Sequence, residues 1–207
     1  MLTFLKKPRL SVTLVEAVTV VAIFAVIAAT TGSILFTSSR TGARLADKAR
    51  VFQELTWAAD YMINEARWGA NFTVAPAPFG NFDLIRFQSD IDRDGAEYSD
   101  PCVWYWRGFT TIVTPITSYG NTDTIYRGLD TNCIADNKTS LDAANASRQE
   151  LSRFLVDNPV DNASNTVWIF DYNNTTHEFI TVLTAQEPKT QNKQTLKSRG
   201  VSLNDQF

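Results

Sequence analysis

A chain of 207 residues, 44% of them hydrophobic, is long enough to bury the core of one domain of ordinary size. Its 19 Lys and Arg against 22 Asp and Glu leave a formal net charge of −3. That balance lacks the electrostatic attraction that supplies most non-specific nucleic-acid affinity.

The N-terminus carries Lys6, Lys7 and Arg9, then Ser11, then an apolar run opening at Val12 with one carboxylate, Glu16, just inside it. A secretory signal places its small-residue cut after the apolar core. Here the small residue comes first, so a cut between Ser11 and Val12 leaves the apolar segment in the mature chain. Residues 12–36 are long enough to cross a bilayer, which takes about 20 apolar residues. The preceding cations predict a cytoplasmic N-terminus, with everything after the span outside. Thr30-Thr31-Gly32-Ser33 is a patch of poor helix formers within this span. Over 37–69 the apolar positions Leu45, Ala49, Phe52, Leu55, Ala59, Met62 and Ala66 step by threes and fours, drawing one stripe. Arg44, Asp47, Lys48, Arg50, Glu54, Asp60, Glu65 and Arg67 mostly fill the other face. Gly69 supplies the stop. A single helix from Val12 to Trp68 would be on the order of 85 Å long.

Residues 70–207 read as a β-rich extracytoplasmic domain. Strands are expected at Phe82–Gln88, Val103–Arg107, Thr110–Thr117, Thr124–Arg127, Val167–Tyr172 and Glu178–Thr184, each rich in Val, Ile, Thr and aromatics and bounded by turn residues. Asp171–Thr176 reads as the turn of a hairpin. Leu151, Phe154 and Leu155 share a helical face, which predicts a short helix over Ser147–Val156. Glu187–Arg199 reads as polar and weakly structured, with a last strand at Gly200–Leu203. The fold class expected is α+β: a long N-terminal helix, half transmembrane and half amphipathic, packed on a small antiparallel sheet.

The order of basic leader, Ser11, Val12-Thr13-Leu14-Val15-Glu16 and apolar helix resembles the type IV pilins and the pseudopilins of type II secretion and competence systems. In that family the leader usually ends in Gly and the mature chain usually opens with Phe; Ser11 and Val12 take those places here. The resemblance implies cleavage after Ser11 by a prepilin peptidase, N-methylation of Val12, and assembly through the helix on a platform in the cytoplasmic membrane. It also implies that Glu16 pairs with the Val12 amine of a neighbouring subunit. Alone, Glu16 reads as a charge tolerated near the membrane interface; the whole Lys6–Glu16 pattern favours the filament. Asp90–Gly95, Val103–Trp106, Ile125–Arg127 and Ile169–Tyr172 further resemble, in order and kind, the minor pseudopilin J and minor pilin W groups. The function implied is that of a minor pilin or pseudopilin, a non-enzymatic structural subunit whose partners are other such subunits. The alternative is an uncleaved, signal-anchored extracytoplasmic binding domain.

Asp90, Asp92 and Asp94, followed by Gly95, match the first half of a calcium-binding loop, but Pro101 stands where the closing bidentate Glu belongs. An acidic turn is the favoured reading over a weak calcium site, and no other cofactor is implied. Cys102 and Cys133, the only cysteines, are expected to form a disulfide outside the cytoplasm. Trp104-Tyr105-Trp106 reads first as core. His177, the only histidine, sits in a polar turn. With no G-x-S-x-G, no phosphate-binding loop and no H-E-x-x-H, no enzymatic motif stands out. Loss of Lys6, Lys7 and Arg9 with the leader would lower the net charge from −3 by three, to −6. A patch of Lys189, Lys193, Lys197 and Arg199 is the one basic stretch to set against that, and no nucleic-acid partner is expected.

Overall fold

The computed structural model describes residues 13–74, 83–89, 101–110, 117–133, 137–157, 167–187 and 191–203. The first element is a 53-residue helix, α1 (Leu14–Ala66). Thr13 caps it: the Glu16 amide donates to Thr13 Oγ1 at 3.3 Å, and the Ala17 amide donates to the Thr13 carbonyl. The chain forms two units, Met1–Ala46 and Asp47–Phe207, and α1 supplies residues to both.

In the first unit α1 runs unbroken through Thr30–Ser33. Thr30 does not compete with the helix, because its hydroxyl donates back to the Val26 and Ile27 carbonyls one turn earlier. Thr37, just beyond the patch, bonds the Ser33 carbonyl in the same way. This back-bonding satisfies a hydroxyl without water, which is what an apolar solvent requires.

In the second unit the buried face of α1 is Val51, Leu55, Ala58, Ala59, Met62 and Ala66. The three-and-four spacing finds Leu55, Ala59, Met62 and Ala66, but Leu45, Ala49 and Phe52, expected on the same stripe, are exposed, and Val51 and Ala58 are buried instead. The helix stops at Ala66, and Gly69, expected as its terminator, instead opens β1 (Gly69–Val74). Gly69 is glycine because a Cβ there would lie 2.6 Å from the Phe87 ring.

Five antiparallel strands form a meander in the order β1, β2 (Leu84–Ser89), β3 (Cys102–Arg107), β4 (Ile125–Asp130) and β5 (Gln149–Ser152). One face of this sheet, with Ile85, Phe87, Val103, Tyr105 and Ile125, shares a core with α1. The opposite face, with Leu84, Cys102, Trp104, Trp106 and Tyr126, packs with Leu141 and Ala144 of a short helix, α2 (Asn137–Ala146). β3 is therefore covered on both faces, which is why its pattern is a run of apolar residues rather than an alternation. Gly128 lets α2 approach β4: a Cβ there would lie 2.2 Å from the Ala144 carbonyl oxygen.

A second antiparallel sheet has the order β6 (Phe170–Asn173), β7 (Glu178–Gln186) and β8 (Lys193–Val201). Phe170, Phe179, Leu183 and Ala185 bring it into the α1 core. The expected hairpin joins β6 to β7, with Asn173 Oδ1 accepting the Thr175 and Thr176 amides and His177 in the left-handed region at φ 54°. The fold is α+β, a long N-terminal helix with antiparallel sheets.

Two further expectations are corrected. Ser147–Val156 is not a helix. Leu151 is a buried residue of β5, Phe154 has a left-handed φ of 64°, and Leu155 bridges to Ala185. The helix lies just upstream, at α2. Glu187–Arg199 is not weakly structured over its second half: β8 pairs with β7 along all nine of its residues, and the last strand ends at Val201 rather than Leu203. Of the expected strand Thr110–Thr117, the described residues show a single bridge, Thr110 to Ser118; residues 111–116 lie outside them.

Candidate functional site

The residues singled out by sequence divide sharply. Ser11 and Val12 lie outside the described residues, as do Asp90, Asp92 and Asp94. Glu16 is described, in the first turn of α1. Thr13-x-x-Glu16 has the spacing of a capping box, a signal in plain view that the sequence reading passed over. A carboxylate in a first turn also faces the positive end of the helix dipole, worth about 0.3–1 kcal/mol.

From Glu16 the helix presents apolar side chains and no further charge before Arg40. Leu14, Val15, Val18, Val21, Phe24 and Val26 are each more than 60% exposed, so this surface is covered by nothing in the unit itself. The segment is long and apolar enough to cross a membrane, compatible with a single-pass anchor. At its far end the Arg40 guanidinium sits 4.1 Å from the Phe36 ring centroid. Such a cation over an aromatic face suits a helix leaving an apolar layer.

The second unit contains a buried polar cluster. Glu65, in the last turn of α1, accepts from Arg127 Nε at 2.8 Å and from a second Arg127 nitrogen, Nη2, and also accepts the Tyr105 hydroxyl. Arg127 is only 7% exposed. Burial works to lower the Arg127 pKa, but the hydrogen bonds and charge of Glu65 outweigh it and hold the guanidinium above its ordinary value. Burial pushes the Tyr105 hydroxyl well above its usual range, and the Glu65 carboxylate adds to that. The carboxylate, the guanidinium and the hydroxyl are bonded to one another, and the cluster fastens the end of α1 to β3 and β4.

Cys102 and Cys133 are joined, with Cα atoms 4.9 Å apart across a separation of 31 residues. The Arg86 guanidinium lies against the bridge, Nε 3.1 Å from Cys102 Sγ and Nη2 3.2 Å from Cys133 Sγ. Replacing both cysteines by Ala is expected to lower stability by about 3–4 kcal/mol. Thermal unfolding with and without reductant checks this: reductant should lower the wild-type midpoint and leave the double variant unmoved.

Trp104, Tyr105 and Trp106 are fully buried. Trp104 Nε1 donates to Ser140 Oγ at 2.9 Å and Trp106 Nε1 to the Tyr119 carbonyl at 2.7 Å, so the aromatic strand is core rather than a binding surface. His177 stands 3.5 Å from the Tyr172 hydroxyl through Nδ1. Among the described residues no group of three His, Cys, Asp or Glu is placed to hold a metal.

Asp83 accepts the Ile169 amide at 3.0 Å, tying the two sheets together. Burial raises its pKa above the ordinary carboxylate value, against the lowering pull of that hydrogen bond and of Arg107. The folded state therefore holds this proton more tightly than the unfolded chain, so Asp83 favours folding at acid pH. That contribution is lost as pH rises through its raised folded value. Asp83→Asn, which keeps an acceptor for Ile169, is expected to match wild type at pH 3 and to melt higher at pH 7. A difference that shrinks toward neutral pH would show the carboxylate to be well paired instead.

No protein-family model matches this chain, and no curated protein or solved structure matches it.

Proposed function

We propose that the protein is a minor pilin or pseudopilin: a membrane-inserted structural subunit processed at Ser11/Val12 and assembled into a filament through α1. The observation that carries this reading is the N-terminal part of α1, a continuous exposed apolar helix whose only charge before Arg40 is Glu16 in the first turn. An isolated carboxylate in an apolar span costs roughly 2.5–3.5 kcal/mol, and residues of this kind usually have a partner. A free Val12 amine on a neighbouring subunit supplies one. The bond to Thr13 is made by the Glu16 amide and not by its carboxylate.

The place of Glu16 in the first turn also favours the competing reading to a degree, since the positive end of the helix dipole gives its carboxylate a local task in an uncleaved anchor. Intact mass and N-terminal sequencing of the protein from its native membrane separate the two. A chain beginning at N-methylated Val12 is expected. A chain that retains Met1–Ser11 would overturn the filament reading and leave a membrane-anchored extracytoplasmic domain.

A further inference from the structure

The second sheet ends in β8, whose one partner among the described residues is β7. Its register with β7 runs from Lys193 to Val201 without a bulge, and it contains no proline. Exposure alternates strictly along it. Lys193, Thr195, Lys197, Arg199 and Val201 face solvent, while Gln194, Leu196, Ser198 and Gly200 turn inward, Gly200 over Ile63 of α1. None of the three cations has an ion-pair partner among the described residues. A nine-residue edge strand thus presents a row of backbone donors and acceptors with three positive charges and no negative one among its own outward residues; the acidic groups on that face, Glu178 opposite Val201 and Asp171 in line with Arg199, belong to β7 and β6.

Sheet edges are ordinarily protected by shortness, proline, bulges, a covering segment or charged side chains, Lys above all. Of these β8 carries the last, its outward cations. Those cations act selectively. A second copy pairing antiparallel about Lys197 would set Lys197 opposite Lys197, and like charges directly across a ladder are destabilising. A strand with acidic residues at alternate positions would instead place each carboxylate roughly 4.5–5.5 Å, Cβ to Cβ, from a cation. Lys193, Lys197 and Arg199 all lie on one face, about 13 Å and 7 Å apart along the strand at 3.3 Å per residue, so an alternating acidic pattern meets all three.

We propose that the edge of β8 left unpaired among the described residues is a docking site for an extended acidic segment of a partner protein, which adds as a fourth strand to the β6–β8 sheet. Backbone pairing supplies the affinity, and the cation row selects an acidic partner over a second copy of the chain. This inference stands apart from the filament reading, because it uses no part of α1 before Ala46.

The test uses the detergent-solubilised full chain and a fluorescent nine-residue peptide with Glu at alternate positions and Thr or Val between, followed by anisotropy at low salt. The peptide is expected to bind. An analogue N-methylated at the backbone amides of alternate residues, which keeps its charge but cannot pair along one edge, is expected to bind at least about tenfold more weakly. Lys197→Glu together with Arg199→Glu, both at exposed positions, is expected to weaken the parent peptide to a similar degree without shifting the melting midpoint. Failure of the parent peptide to bind overturns the proposal. So does equal binding of the N-methylated analogue, or of a short single-stranded oligonucleotide, since either would make the cations a general anion surface.

Discussion

Arg127→Met is expected to destabilise the protein by about 3–5 kcal/mol, the usual cost of stranding one partner of a buried ion pair. The carboxylate left behind is Glu65, only 14% exposed along its side chain, with Tyr105 as its remaining donor. One neutral hydroxyl does not replace a two-point guanidinium contact made through Nε and Nη2. The loss also falls on a joint, because Glu65 belongs to the last turn of α1 whereas Arg127 and Tyr105 lie on adjacent central strands. Urea unfolding followed by tryptophan fluorescence reads it well, since Trp104 and Trp106 sit in the sheet concerned. The control is the double variant Glu65→Leu with Arg127→Met. Removing both charges is expected to recover more than half of the loss, since a buried pair replaced by apolar groups is often nearly neutral. A single-variant loss below about 1 kcal/mol would mean that the pair behaves as a solvated surface bridge.

That cluster marks a limit of what the sequence discloses. Glu65 was assigned to the polar face of α1, a sound reading of helical spacing, and Arg127 to a strand. Nothing local shows that residues 62 positions apart close on each other. The same limit appears in α2. Asn137–Ala146 contains one large apolar residue, Leu141, and packs through small ones, with Ala144 against Gly128 and Ser140 bonded to Trp104. Periodicity detects large apolar side chains, so a helix seated by small ones escaped it. The neighbouring Leu151, Phe154 and Leu155 carried a false helical spacing because a strand buries Leu151, a bridging residue buries Leu155, and a left-handed turn leaves Phe154 partly buried against the same core.

β8 was missed for a complementary reason. As an edge strand it buries only the inward half of a mostly polar segment, and Leu196 is its one large apolar residue on that side. Composition alone makes Lys193–Arg199 look like a solvated tail. What was legible was whatever rests on dense apolar pattern. The long helix and the Leu55–Ala66 part of its buried stripe, the aromatic core strand β3, the β6–β7 hairpin and the Cys102–Cys133 bridge all follow from large side chains, or from residues with few alternatives. Of the candidate site, Glu16 was legible as an anomaly, one charge in an apolar run, while its bond to Thr13 required the helix start to be located.

Glu16→Leu is expected to leave the protein in the membrane and to abolish its incorporation into filaments, and the two halves of that outcome have opposite physical causes. Removing a carboxylate from an apolar helix makes insertion easier, by up to roughly 2.5–3.5 kcal/mol for a central position and less near an interface. If membrane placement were all that α1 did, the variant would perform at least as well as wild type. A filament held in register by Glu16 against a neighbour's Val12 amine would instead leave that amine buried without a counter-charge, a loss large enough to prevent assembly. The cap must be separated from the charge, and Thr13→Ala does this. It removes the hydroxyl that accepts the Glu16 amide, at a cost of about 0.5–2 kcal/mol to the helix start, and leaves the carboxylate in place. Fractionation of native cells expressing each variant, followed by detection in sheared filaments and in the membrane, reads both steps. Glu16→Leu found only in membranes while Thr13→Ala still assembles assigns the effect to the charge. Glu16→Leu present in filaments at the wild-type level would reduce Glu16 to a helix cap and remove amine pairing from the mechanism.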